Sequence, residues 1–139
     1  MKIFIDSDVL LGVVFKRSEF ENSSKVVALC EKGIVAGYTS SLILANAYYI
    51  IRNENGHKNA IVAISSIREV LTVLDFTNKS IGESIQSGWN DFENGVQNFI
   101  ALNNKIGILI TRNIEDYKRS SLQVMTPKQF LESEKLRDE

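Results

Sequence analysis

Asp6, Ser7 and Asp8 follow directly on the apolar run Ile3-Phe4-Ile5. A carboxylate fixed where a buried strand reaches the surface can hold a hard cation at small entropic cost. The same position suits a helix cap, because Asp6 or Ser7 could accept hydrogen bonds from the first free amides of a following helix. Asp8 could join Asp6 or cap that helix, so the residues by themselves leave both roles open. Further along, Asp91, Glu93 and Asn94 open one periodic segment, and Asn113 and Asp116 follow the apolar run that ends at Thr111. Acids in a first helical turn are favoured by the helix dipole whether or not they do chemistry, which is the reading preferred for Glu93. The lone histidine, His57, sits in the polar turn ENGHKNA with no histidine or cysteine beside it and draws no catalytic role.

These groups need a scaffold, and the apolar periodicity supplies one. The short β-branched apolar run at Lys2 to Asp6 predicts a strand, and Ala36 to Thr39, Leu71 to Phe76, Ile106 to Thr111 and Gln123 to Met125 read as four more. Segments of helical period separate them. Leu10, Leu11 and Val14 suit one helix, and Val26, Val27, Leu29, Cys30 and Ile34 a second that ends near Gly33. Ser40 or Ser41 can cap a third, stopped by Asn55-Gly56, and a fourth runs from Lys58 through Ile61, Ile64, Ile67 and Val70. Two more bracket Gly88; in the later one Phe92, Val96, Phe99, Ile100 and Asn103 share a face, which puts Glu93 and Asn94 at its edge or outside. A short helix near Glu115 and one opened by Pro127 complete the series. Strands alternating with helices imply a three-layer α/β/α sandwich around a central parallel sheet of about five strands. Ligands bind such sheets at the strands' carboxyl ends, so Asp6 and Thr111 would face one crevice if the first and fourth strands were neighbours.

A chain of 139 residues, 44% hydrophobic, with one proline and no Gly- or Ser-rich stretch, reads as a single domain over 1–139. Asp6 and Asp8 interrupt the apolar start, which excludes a signal peptide or membrane span there and predicts a cytoplasmic protein. Cys30 is the sole cysteine and reads as a buried thiol. A net charge of −1 gives no long-range pull on polyanions, so nucleic-acid binding would need local basic groups or bound cations.

The blocks FIDSDVLL, SSLILANAYYI, DFENGVQNFIALNN and ILITRNIEDY stand in the order and spacing of PIN domains, and the resemblance spans nearly the whole chain. It implies a PIN-like fold and a Mg²⁺- or Mn²⁺-dependent endoribonuclease, of the type that forms the toxin half of bacterial toxin–antitoxin pairs. RNA would be the substrate, a small antitoxin the partner, and a homodimer the assembly. The family pattern has acids at positions that correspond here to Asp6, Asn46, Asn94 and Asn113. An amide oxygen can coordinate magnesium, but it brings no charge and cannot act as a base. Asp91 and Asp116 stand near the amides and could restore the charge. The resemblance thus makes Asp6, Asp91 and Asp116 the metal ligands, with Asn46 and Asn94 orienting water or substrate.

Ser7, Thr111 and Arg112 would meet phosphate oxygens, while Lys16, Arg17, Lys118 and Arg119 flank the crevice. Tyr117 and Trp89 are the nearby candidates for stacking on bases, although Trp89 also suits the core. The alternative is an impaired PIN-like scaffold that binds RNA or a protein without cutting it. A haloacid-dehalogenase-like phosphatase also begins with a strand and an Asp-x-Asp pair, but usually needs a lysine and a cap.

Overall fold

Ile3, Phe4 and Ile5 are fully buried, so the first strand, β1 (Lys2–Ile5), needs apolar cover on both faces of its sheet. In the computed structural model, which describes residues 1–137, helices provide that cover. The chain continues through α1 (Ser7–Val14), α2 (Phe20–Glu31), β2 (Ala36–Ser40), α3 (Ser41–Asn55), α4 (His57–Val70) and β3 (Thr72–Leu74). It then forms α5 (Asn78–Gln86), α6 (Phe92–Asn103), β4 (Ile108–Ile110), a 3-10 turn (Ile114–Tyr117), β5 (Gln123–Met125) and α7 (Pro127–Arg137). All strand pairs are parallel in the order β3-β2-β1-β4-β5, giving the expected α/β/α sandwich. No helix among the described residues is long and apolar enough to cross a membrane.

The order places the site. From β1 the chain first builds towards β3 and then returns to add β4 on the other side, so the switch point lies between β1 and β4. Ile5 is in register with Ile110, and the Asp6 amide donates to the Ile110 carbonyl at 2.9 Å. Asp6 and Thr111 therefore leave neighbouring strands at one level.

Two helices differ from the periodicity expectation. In α4 only Ala60 is fully buried, while Ile61 is 45% exposed. Ala60 packs with Leu11, Ala47 and Ile51 in a satellite cluster, because α4 lies mainly on α3 rather than on the sheet. In α6 the buried arc is Gly95, Val96, Gln97, Asn98, Ile100 and Ala101, whereas Phe92 is 44% exposed. Gln97 and Asn98 can be buried because each meets a hydroxyl. Ser40 Oγ donates to Gln97 Oε1 at 2.6 Å, and Ser120 Oγ donates to Asn98 Oδ1 at 2.5 Å. Ser40 also caps α3 by accepting from the Ile43 amide, so one hydroxyl ties β2, α3 and α6 together.

Cys30 packs against β2, and burial pushes its thiol up to about 11, which leaves it protonated and inert. Gly37 makes this contact possible. A Cβ there would lie 2.5 Å from Cys30 Sγ and 2.6 Å from Leu71 Cδ2. Gly37→Ala is expected to cost about 1–3 kcal/mol of stability, measured as a lower denaturant midpoint at unchanged slope.

Candidate functional site

Asp6 is 6% exposed and carries three hydrogen bonds, none of them from a cationic group. Its Oδ1 accepts from the Ser7 amide at 2.9 Å and the Tyr117 hydroxyl at 3.1 Å; its Oδ2 accepts from the Thr111 hydroxyl at 3.0 Å. The Thr111 hydroxyl also faces Asp8 Oδ2 at 3.1 Å, and the Arg112 amide donates to the Asp8 carboxylate at 3.1 Å. One hydroxyl proton thus serves two carboxylates. When both are ionised, one of them lacks its donor.

Electrostatics follow from that arrangement. Burial, and then the charge of Asp8, push the Asp6 carboxyl up to about 7, against the opposing pull of the Ser7, Thr111 and Tyr117 hydrogen bonds. Asp8 is also raised, chiefly by burial. Burial and the neighbouring Asp6 charge raise Tyr117 well above the ordinary phenol range, so its hydroxyl stays a donor. Asp6 itself has no cationic partner, and the Arg112 charge acts on Asp8, where burial outweighs it.

Asp6 opens onto a small cavity of about 90 Å³ whose polar lining includes Ser7, Asn46, Glu93, Asn94 and Gln97. The Asn46 Nδ2 donates to Glu93 Oε1 at 3.0 Å, fixing that carboxylate from α3. Tyr117 reaches Asn94 Oδ1 at 3.2 Å as well as Asp6, joining β1, α6 and the 3-10 turn. Asp91 instead caps α6, its Oδ1 accepting from the Asn94 amide at 3.0 Å. With Asp116 it lines a neighbouring cavity of about 220 Å³, and Asn94 lies in the wall common to both.

The structure therefore brings Asp6, Ser7, Asn46 and Asn94 into one cavity, and sets Asp91 and Asp116 in the next. Among the described residues, no three His, Cys, Asp or Glu side chains converge as a group able to hold a metal. Thr111 is fully buried, and its hydroxyl is committed to carboxylates rather than open to phosphate. Arg112 donates from Nη2 to the Ser18 carbonyl at 2.8 Å and lines a separate cavity of about 340 Å³ beside Asp8. Tyr117, 1% exposed, is inside the core and cannot stack on a base; its ring meets Trp89 edge-on at 5.8 Å. His57 pairs with the Tyr48 hydroxyl away from these cavities.

Gln97 is a cavity residue that no sequence signal singles out, and Tyr117, a candidate for stacking on bases, instead bonds Asp6 from within the core. Glu93 lies exposed in the first turn of α6, as expected of a first-turn acid, and its place in the cavity lining beside Asn46 comes from the docking of α6 near α3. Nothing local in the sequence signals it.

All the cavity's candidate ligands are oxygens: two carboxylates, from Asp6 and Glu93, three amide oxygens and a hydroxyl. That chemistry fits a hard divalent cation such as Mg²⁺ or Mn²⁺, which commonly uses one or two carboxylates and completes its shell with water.

Comparison with known proteins places this architecture. The chain folds like VapBC2 of Rickettsia felis, solved bound to a DNA fragment from its promoter, with a TM-score of 0.70 and 17% identity over 91% of this chain and 98% of that one. It is also similar to a toxin–antitoxin complex from Klebsiella pneumoniae, with a TM-score of 0.67 and 14% identity over 90% and 97% of the two chains. A third similar structure is Mycobacterium tuberculosis VapC20, described as a sarcin–ricin loop cleaving toxin, with a TM-score of 0.69 and 13% identity over 84% and 94%. No curated protein matches the sequence. The PIN-domain family model matches residues 2–115, and the chain belongs to the PIN-domain family.

Proposed function

We propose that this chain is a divalent-cation-dependent endoribonuclease, the toxin half of a toxin–antitoxin pair that works with a small antitoxin and as a homodimer. The observation that carries the nuclease reading is Asp6: a buried carboxylate with no cationic partner, opening onto a cavity lined by oxygen ligands. Membership of the PIN family supports it, as does the likeness to toxin–antitoxin structures.

Asp6 and Glu93 would hold Mg²⁺ or Mn²⁺, with Asn46, Asn94 and Gln97 offering amide oxygens directly or through water. When bound, the ion supplies positive charge for the scissile phosphate and makes a water acidic enough to yield hydroxide near neutral pH. The protein's own contribution is orientation. The Ser7 amide, Thr111 and Tyr117 aim both oxygens of Asp6, and Asn46 aims Glu93. Asp8, held by the Arg112 amide, keeps negative potential beside Asp6 and so favours a cation there. The Ser7 hydroxyl, half-buried at the cavity wall, is the group best placed to donate to a phosphate oxygen. In this geometry Asp91 and Asp116 act from the adjoining cavity.

The test is cleavage of a mixed-sequence RNA with Mn²⁺ or Mg²⁺, alongside calorimetric titration of Mn²⁺. Glu93→Gln keeps the Asn46 hydrogen bond but removes a charge, and is expected to weaken Mn²⁺ binding about tenfold with metal-free melting unchanged. The scaffold reading rests on the amides Asn46, Asn94 and Asn113 standing where the family has acids. RNA binding without cleavage, together with no heat on adding Mn²⁺, would establish it instead.

A further inference from the structure

A cavity of about 220 Å³ adjoins the Asp6 site and combines an aromatic side chain with groups of both charges. It is lined by Trp89, Asn90, Asp91, Asn94, Asp116 and Arg119, among others. Trp89 is the chain's only tryptophan and is half-buried, held in place by its edge-on contact with Tyr117. Arg119 Nη2 donates to the Ser87 carbonyl at 3.0 Å, which bolts the Trp89 loop to the segment after the 3-10 turn. The floor is therefore preformed. Asp91 has one oxygen on the α6 cap, and the Asp116 carboxylate makes no hydrogen bond or ion pair among the described residues.

We propose that this cavity is a nucleobase subsite that takes a guanine of the RNA next to the scissile phosphate. The proposal rests on the ribonuclease reading above and deepens it to a base preference. Three carboxylates, from Asp91, Glu115 and Asp116, outnumber the Lys118 and Arg119 cations in the lining, which favours an occupant that offers hydrogen-bond donors over a phosphate. Single-stranded RNA is read by placing a splayed base against an aromatic side chain and pairing its edge with polar groups. Trp89 is that aromatic. Guanine presents adjacent ring N–H and amino donors, which one carboxylate can accept together, whereas the amino groups of adenine and cytosine stand beside ring acceptors that a carboxylate repels. Its O6 and N7 acceptors suit the cationic groups of Lys118 and Arg119, which line the same cavity. Asn94, shared with the Asp6 cavity, sets the two subsites side by side, as a base and its adjoining phosphate require.

The full chain, kept metal-free with chelator, would be titrated with short oligouridines carrying a single guanosine, adenosine or cytidine, or none, with Trp89 fluorescence as the readout. The guanosine oligomer is expected to bind about tenfold more tightly than the others, and Asp116→Asn to bring that ratio close to one. Equal quenching by all of the oligomers, or quenching by none, overturns the subsite. So does quenching by Mn²⁺ alone that Asp116→Asn abolishes, since the cavity would then be a cation site. Adding Mn²⁺ and mapping cleavage separates the two readings. Cleavage with no guanosine bias removes the subsite and leaves the nuclease; guanosine-selective binding without cleavage does the reverse.

Discussion

Asp6→Asn is expected to abolish RNA cleavage, by at least about 100-fold, while making the metal-free protein more stable above neutral pH. Both effects come from one buried charge. In the wild type, the Thr111 proton is shared by Asp6 and Asp8, and ionising Asp6 above neutrality leaves that one proton to serve both side chains. An asparagine side chain resolves that shortage: its NH₂ donates to Thr111 Oγ1, Thr111 donates to Asp8, and the remaining amide oxygen still accepts from Ser7 and Tyr117. The stability sign follows from linkage. Asp6 titrates at about 7 in the folded chain, against 3.8 as its ordinary value. Between those values the folded state holds a proton that the unfolded state has released, so wild-type stability falls as pH rises across that window and levels off above it. The substitution should remove that slope and gain roughly 1–4 kcal/mol at high pH, seen as a higher melting temperature in chelator. Mn²⁺ should raise the wild-type melting temperature increasingly as pH climbs through about 7, because the ion competes with a proton, and should do little for the variant. A variant less stable than wild type at every pH would show that Asp6 is an ordinary structural cap.

Asn94→Asp is expected to act in the opposite sense, tightening Mn²⁺ binding about tenfold or more and raising cleavage with it. The new carboxylate would border the cavity already shared by Asp6 and Glu93. Its cost lies at Tyr117. That phenol has one proton and faces both Asp6 and residue 94, at 3.1 and 3.2 Å. With asparagine, a turned amide can donate to the phenol oxygen while the phenol donates to Asp6, and every group is satisfied. With aspartate, two carboxylates compete for one proton, so the metal-free variant should lose about 1–3 kcal/mol of stability and regain it when Mn²⁺ is added. Calorimetry and melting with and without the ion measure both halves. If Mn²⁺ bound no more tightly to this variant, position 94 would lie outside the cation's reach.

The order of elements was written in the sequence. The β-branched runs at Lys2–Ile5 and Ile108–Ile110, interrupted by helical periods, determine a parallel α/β sheet, since such strands must be covered on both faces. Asp6 and Thr111 follow as strand-end residues, and the spacing of the four blocks carries the family. What the sequence could not decide is which acids share a cavity. Successive residues on a helix point about 100° apart, so Asp91, Glu93 and Asn94 are neighbours in sequence but face different surroundings. The docking of α6 against α3 and β2, through Asn46–Glu93 and Ser40–Gln97, places Glu93 in the lining of the Asp6 cavity and leaves Asp91 as a cap beside Asp116. Tyr117 likewise reads as a candidate for stacking on bases until the 3-10 segment folds it against Trp89 and Asp6. Those contacts join residues far apart along the chain. Local periodicity can state which face of an element is apolar, but only tertiary packing determines which neighbour that face meets.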